Sequence, residues 1–360
     1  MLERFRVKEE DSVRVGPDGL RSTVTALFQK MNVPLEDAEL AADVLVTSDL
    51  MGVDSHGVSN MLRNYIRGYI EGALNPRPNW RIIRESPATA NIDCDGGLGI
   101  IMAPKAMDIA IDKADATGLG MVTMMNGRHL GMAGYHAMRA AKRDMIGVCM
   151  SSTGPSVVPT FGGEARLGRN PIAVAVPAKN EPPFLLDMAT SSVAGNKITL
   201  AKRLNVEMEP GWVATTEGTP IMEEVPVPES FFSLPLGSTR ELGSHKGYGL
   251  ACVADILTGV LAGAGASMQV ERGHVRHMVA AYKIDAFTPV DEFKEQMDDF
   301  LRILKYRPPA PGQERVLYAG LPEAEQLLER TARGIPLHKE VLQWFQDICS
   351  ELGVRYALEG

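Results

Sequence analysis

The sequence predicts an α/β protein, a sheet covered by helices on both faces, with helical segments at the two ends of the chain. Two observations carry this reading. Strand-like and helix-like runs alternate between Thr89 and Ser151, each of the length such elements need, and apolar residues recur at helical spacing before Pro76 and after Pro322. Proline-rich connectors, Pro76–Pro78 and Tyr306–Glu314, punctuate the chain. The expected division is a helical N-terminal segment (1–75) that packs with C-terminal helices (320–360), around an α/β region (76–319).

Taken in order, Leu20 to Met31 has helical periodicity, and Pro34 followed by Glu36 and Asp37 opens a second helix running toward Met51. After the turn-like Gly52–Gly57 segment, Asn60 to Ile70 forms a third helix that stops at Gly72. Thr89 to Cys94 alternates as a strand, Asp95–Gly99 turns, and Ile100 to Ala116 is helical. Gly120–Met125 and Ile146–Ser151 are strands separated by a helix over Ala133–Arg143. Ile172–Val176, Phe184–Met188 and Met278–Ile284 are further strands. Gly247–Ala262, Asp291–Leu304, Pro322–Arg333 and His338–Leu352 are further helices.

Composition excludes several functions. With 360 residues, 45% hydrophobic and 23% charged, the chain can bury a full core and is not a disordered or fibrous sequence. A net charge of -8 disfavours a nucleic-acid surface, which needs a basic footprint. The most apolar stretch, Gly249 to Ala266, is rich in Gly and Ala and carries Asp255, as a packed helix does and a membrane span does not. The opening residues MLERFRVKEEDSVRV lack the apolar core of an export signal, so the expected compartment is the cytoplasm. Cys94, Cys149, Cys252 and Cys349 are far apart and form no C-x-x-C pair, which fits thiols in a reducing compartment rather than a zinc site or disulfide framework.

A dinucleotide is commonly held by a strand, a G-x-G-x-x-G turn and a helix. The best match, Gly97-Leu98-Gly99-Ile100-Ile101-Met102, puts Met102 where close helix–strand packing needs a third small residue. Gly118–Thr123 fails in the same way, and Gly263-Ala264-Gly265 follows a helix rather than a strand. Any nicotinamide cofactor is therefore expected on other loops, in a domain that is not a Rossmann fold.

Five clusters carry residues suited to chemistry. Asp54-Ser55-His56-Gly57 places an imidazole on a loop before a helix, where it can exchange a proton near neutral pH while Ser55 or Asp54 fixes its tautomer. Asp and Ser are also ordinary helix caps. Asn126-Gly127-Arg128-His129-Leu130-Gly131 lies between a strand end and a helix start, where ligands and anions collect. Phe161-Gly162-Gly163 with Leu167–Pro171 forms a third cluster, and Leu186-Asp187-Met188-Ala189-Thr190-Ser191 a fourth, with an acid at a strand end. The fifth, Ser244-His245-Lys246-Gly247, sets a lysine at a glycine-flanked helix start, suited to a carboxylate or phosphate. Each alone also reads as a turn, a cap or a solvated charge.

As an ordered set, DSHGV, GRHLGMAGY, FGG with LGRNP, LDMATS, KGYGL and ARGIP closely resemble the malate/L-lactate dehydrogenase-like family, from about Leu20 to about Leu337. That family also includes sulfolactate, ureidoglycolate and diketogulonate enzymes and cyclic-imine reductases. The resemblance implies a three-layer α/β/α fold with a mixed central sheet and a non-Rossmann cofactor domain. It implies homodimers with the site near the subunit interface, and NAD(P)-dependent hydride transfer to or from a small 2-hydroxy or 2-oxo acid. NAD is the expected cofactor, with NADP left open. By match to the family pattern, His56 is the proton donor and acceptor, supported by Ser55 and Asp187. His129, Ser151, Thr153, Asp187, Met188, Ala189, Lys246 and Gly320 fall at cofactor- or substrate-contacting positions. The match to His129 leaves a proton-acceptor role open for that residue too.

Three departures bear on the substrate. Asn60 stands where the family places an arginine four residues after the histidine, and Arg63, on the same helical face, is the expected carboxylate clamp, with Asn60 and Lys246 beside it. Ala319-Gly320-Leu321 replaces a Pro-Gly-Glu turn, and Arg169 stands where smaller polar residues are commoner. Within the class the alternative is a reductase of cyclic imines such as piperideine or pyrroline 2-carboxylates. Outside it stand a non-catalytic nucleotide-binding relative, which the intact His56, Asp187 and Lys246 argue against, and a metal-dependent hydrolase using His274 and His277. Two histidines three apart, without a nearby acid, make a weak metal site, and no metal is expected.

Overall fold

The computed structural model of the chain describes residues 8–269 and 273–358. The first seven residues, part of the stretch read above for an export signal, lie outside them. In chain order the elements are β1 (Ser12–Val15), α1 (Pro17–Lys30), α2 (Leu35–Leu50), α3 (Val58–Ile70), β2 (Arg81–Glu85), β3 (Thr89–Asp93), α4 (Gly99–Thr117), β4 (Leu119–Gly127), α5 (Ala133–Ala141), β5 (Met145–Ser152), β6 (Ile172–Val176) and β7 (Phe184–Met188). There follow α6 (Gly195–Leu204), β8 (Val213–Ala214), β9 (Phe232–Ser233), α7 (Ser244–Asp255), β10 (Val275–Lys283), α8 (Val290–Lys305), α9 (Leu321–Arg333), β11 (Ile335–His338) and α10 (Lys339–Leu352).

The central sheet has the order β2-β3-β4-β10-β5-β6-β7. Only β3 and β4 run parallel, and every other neighbouring pair is antiparallel. Helices α4 and α5 cover one face with α2 outside them, while α7 and the π-helical turn Ile256–Val260 cover the other. This is a three-layer α/β/α fold on a mixed sheet. It is not the all-parallel, doubly wound sheet of a Rossmann domain. Two glycines set the first layer's distance: a methyl on Gly120 of β4 would overlap the Ala110 carbonyl of α4, and one on Gly147 of β5 the Ala137 carbonyl of α5.

Packing explains where the periodicity was legible. Helix α3 buries Val58, Met61, Leu62, Tyr65, Ile66 and Tyr69, one stripe at three- and four-residue spacing. Strand β10 lies mid-sheet and is buried from Arg276 to Ala281. It begins at Val275, ahead of its apolar run, because the charge of Arg276 is met by Asp255 and the ring of His277 by two hydrogen bonds. Both ends of the chain share one core: β1 pairs with β11, α1 packs on α10 and α2 on α9. That brings the C-terminal α9 against the loop between α2 and α3.

Candidate active site

Strand directions decide which loops meet. Because β4, β5 and β7 run the same way while β10 and β6 run against them, the ends of β4, β5 and β7 and the starts of β10 and β6 share one edge of the sheet. His129, Ser151–Thr153, Asp187–Ala189 and Arg169 are all delivered there by topology. The Asp54–Gly57 loop comes to the same place from the N-terminal helices.

That loop is built tightly. Gly57 is required, since a side chain there would overlap the carboxylate of Asp49 beneath it. Asp49 accepts the Val58 N–H at 2.8 Å and so caps α3 from below. Burial, then the charge of Asp54, raises the Asp49 carboxyl well above its ordinary range. Arg330 of α9 reaches in to bind the Asp54 carboxylate and the Asp49 carbonyl. Asn60 donates to the Asp54 carbonyl at 2.8 Å, and Asn196 of α6 donates to the Ser55 carbonyl at 2.6 Å.

His56 emerges from this frame with Nδ1 2.9 Å from the Ser55 hydroxyl. Its ring stacks on that of His129, with centroids 5.8 Å apart and planes 15° from parallel. Nδ1 of His129 lies 2.7 Å from the Tyr65 hydroxyl and 3.3 Å from the Gly131 N–H. A backbone N–H can only donate, so Nδ1 is the acceptor, Tyr65 donates to it, and the ring proton sits on Nε2. Burial pushes the His56 pKa down to about 4. Burial, with a smaller push from His56 and the neighbouring histidines, takes His129 to about 3. Both rings are neutral at pH 7, and neither Nε2 has a partner among the described residues.

Asp187 ends β7 and accepts the Gly134 N–H at 2.6 Å at the start of α5. Asp187 is solvent-exposed, yet the protein packed around its carboxyl raises its pKa to about 6. The expected support of His56 is thereby divided. Ser55 holds the ring, and the hydrogen bond of Asp187 goes to α5.

Four other expected site residues are engaged elsewhere. The guanidinium of Arg63, the expected carboxylate clamp, bonds Glu340 at 2.9 Å and lies over the Trp344 ring at 5.2 Å, both on the C-terminal helix. The Asn60 amide is spent on the loop. Ser151 is buried and gives its hydroxyl hydrogen to His277, whose other ring nitrogen donates to the Arg128 carbonyl at 2.9 Å. Both nitrogens of His277 are thus hydrogen-bonded, and His274 meets Arg128. Thr153 is tied through its N–H to Asn170. Met188 and Ala189 are half-buried beside Asp187, and Gly320, at φ +98°, packs against the backbone of β7. Lys246 is exposed at the start of α7, two residues after Ser244, which lines a groove of about 400 Å³ with the Phe161–Gly163 loop. In the glycine turn after β3, the N–H groups of Gly96 and Gly97 donate to the Asn126 and Cys94 carbonyls.

Tyr65, Asn196, Asp49 and Arg330 complete the site without having been singled out in the sequence. Tyr65 could have been found, being two turns beyond the loop on the buried stripe of α3.

The two neutral histidines and the Asp187 carboxyl come to one sheet edge, and groups of this kind can exchange a proton with a ligand. A profile of the family described as malate/L-lactate dehydrogenase matches residues 15–346. The malate dehydrogenase of Pyrococcus abyssi is 41% identical over 99% of this chain and 99% of its own, and the L-sulfolactate dehydrogenase of Methanocaldococcus jannaschii 35% identical over 94% and 97%. The solved malate dehydrogenase of Pyrococcus horikoshii superposes with a TM-score of 0.88 at 39% identity, covering 97% of this chain and 98% of that one. The chain belongs to the malate/L-lactate dehydrogenase family.

Proposed function

We propose that the protein interconverts a small 2-hydroxy acid of the malate, lactate or sulfolactate type and its 2-oxo acid, with NAD as the redox partner. When bound, a nicotinamide supplies the hydride chemistry. The residues present suit such a group: Asp187 offers an exposed carboxyl beside half-buried Met188 and Ala189, and Gly134 lets the backbone of α5 approach it, since a methyl there would stand 2.9 Å from Asp187 Oδ2.

The stacked histidines carry the reading, and their partners divide the work. His56 is the proton carrier. With Nδ1–H donating to the Ser55 hydroxyl, Nε2 of the neutral ring is free to take a proton from the 2-hydroxy acid and to return it, and the Ser55 contact holds in both states. His129 differs: Tyr65 can accept as well as donate, but the Gly131 N–H only donates, so a proton on Nδ1 would break that contact. His129 therefore stays neutral and points its Nε2–H at the substrate oxygen, polarising a carbonyl without giving up its proton.

Steady-state assays of oxaloacetate, pyruvate and sulfopyruvate with NADH and NADPH test the proposal. Turnover of at least one acid, faster with NADH, is expected; inertness toward all three with both cofactors would overturn it.

The assembly we propose is a homodimer. Leu250, Val253, Ile256, Val260 and Leu261 form an exposed apolar face on α7 and the turn that follows, which a second copy would cover. Cytoplasmic residence is part of the same proposal, supported by four unpaired cysteines. Sedimentation at micromolar concentration should show twice the chain mass.

A further inference from the structure

Most guanidinium groups of this protein that approach its interior are met by carboxylates: Arg276 by Asp255, Arg330 by Asp54 and Arg139 by Asp108. Arg169 is different. It stands in the loop before β6, at the sheet edge shared with His129 and Asp187, and is only partly accessible. One of its N–H groups reaches the Ser233 hydroxyl at 2.8 Å; its Nε–H is sealed from solvent with no acceptor, and among the described residues it has no carboxylate partner. Burial alone acts on its ionisation, lowering its pKa, with no opposing charge named beside it. An unpaired, desolvated cation destabilises a free protein, and such a group calls for a reason.

The surroundings supply one. The guanidinium lies against the first residue of α6, where a methyl on Gly195 would come within 2.7 Å of its central carbon. That helix has no side-chain cap, so its N-terminal dipole and the guanidinium converge from two elements on one spot. The next residue, Asn196, holds the carbonyl of Ser55, whose hydroxyl holds His56. Helix α6 thus touches the guanidinium through Gly195 and the His56 loop through Asn196, one residue apart.

We infer that Arg169, with the uncapped start of α6, is the specificity-determining anchor for a second anionic group on the substrate, a carboxylate or sulfonate beyond the one at the reacting carbon. This rests on the proposed dehydrogenase reading and names its substrate class: dianionic 2-hydroxy acids over monoanionic ones. It also replaces Arg63 as the clamp.

The test compares kcat/KM for malate and for lactate in wild type, Arg169→Met, Arg169→Lys and Gly195→Ala. The malate-to-lactate ratio is expected to fall roughly 10- to 100-fold in Arg169→Met, the size of one lost charged hydrogen-bond contact, with partial recovery in Arg169→Lys. Gly195→Ala keeps the charge but displaces it, and should lower the same ratio. A melting curve separates this from a structural role: removing an unpaired buried cation should leave the melting temperature of the ligand-free protein equal or higher, and a large drop would count against the inference. An unchanged ratio in Arg169→Met overturns it, as does a loss confined to NADH affinity in fluorescence titration, which would assign the anion to the cofactor's phosphates. If wild type oxidises neither acid, the dehydrogenase reading fails by itself. Calorimetric titration of malonate into the NADH-saturated protein then still decides on Arg169, since wild type should bind the dianion and Arg169→Met should not.

Discussion

Four histidines are drawn together behind and beside the sheet edge, and only two of them face the reacting space. Burial is the leading cause that depresses all four, His56 and His136 to about 4, His129 and His277 to about 3. Depressed basicity therefore does not mark a catalytic imidazole here. What separates the pairs is the partner at each ring nitrogen. His136 donates to the Leu130 carbonyl and keeps Nδ1 sealed in the core, and His277 is bonded on both sides. His56 and His129 are each held by one nitrogen, leaving the other for a ligand. A base is built by leaving one side of a well-held ring empty.

Removing each ring should break the comparison where chemistry lives. His56→Ala is expected to lower kcat by the roughly 10²–10⁴-fold typical of a lost general acid–base, with NADH binding, read by fluorescence, close to wild type. Retained turnover in a folded His56→Ala protein would transfer the proton to His129.

The sealed pair should announce itself in stability rather than in rate. His136 and His277 are fully buried and neutral in the fold, with pKa values below the ordinary 6.5, so the unfolded chain binds more protons than the folded one between those values. Their contribution is complete above pH 6.5 and is lost as pH falls toward 4, at roughly 2–3 kcal/mol per pH unit for the two together. Urea midpoints between pH 7 and 4.5 check this. His277→Gln, which can keep an amide in the same slot, should flatten the slope. A slope unchanged in that variant would mean the acid sensitivity comes from another group.

Tyr65→Phe probes the difference within the open pair. His129 loses its better donor but keeps the Gly131 N–H, so kcat should fall by about 3- to 10-fold, one neutral hydrogen bond's worth. Cofactor affinity should hold. A loss as deep as that of His56→Ala would give His129 the larger share of the chemistry.

How much of this was legible follows the range of each interaction. Strands β3 to β7 and helices α1 to α5 declare themselves because the apolar runs and turn residues that mark them lie within single segments. The pairing of β1 with β11, helix α6 with its β-branched Ile198 and Thr199, and the early start of β10 do not, since each is settled by partners far along the chain. The same division runs through the site. His56, Ser55, His129 and Asp187 sit in short motifs that can be read by eye, whereas Arg330 joins Asp54 across 276 positions and Asn196 joins Ser55 across 141. Arg63 shows the cost of stopping at local geometry. Its helical face was read correctly relative to Asn60, but nothing within α3 could reveal that α10 supplies Glu340 and Trp344.

The smallest effect expected is at Arg63 itself, and it sharpens the contrast with Arg169. Arg63 is exposed, and both of its partners belong to the C-terminal helix: an ion pair with Glu340 in which each side chain is nearly half accessible, and a face-on contact with Trp344. Exposed ion pairs contribute up to about 1 kcal/mol, and an exposed cation–π contact about 0.5–1 kcal/mol. Arg63→Ala should therefore cost about 1 kcal/mol of stability, part of it removed by salt in wild type, while KM for malate moves less than about twofold, within the scatter expected of a surface site. Arg63→Lys keeps the charge near Glu340 and most of the stability. Kinetics and urea unfolding on the same preparations read both numbers. A tenfold rise in KM for malate in Arg63→Lys, with stability unchanged, would return the carboxylate clamp to α3 and leave Arg169 without a substrate to hold.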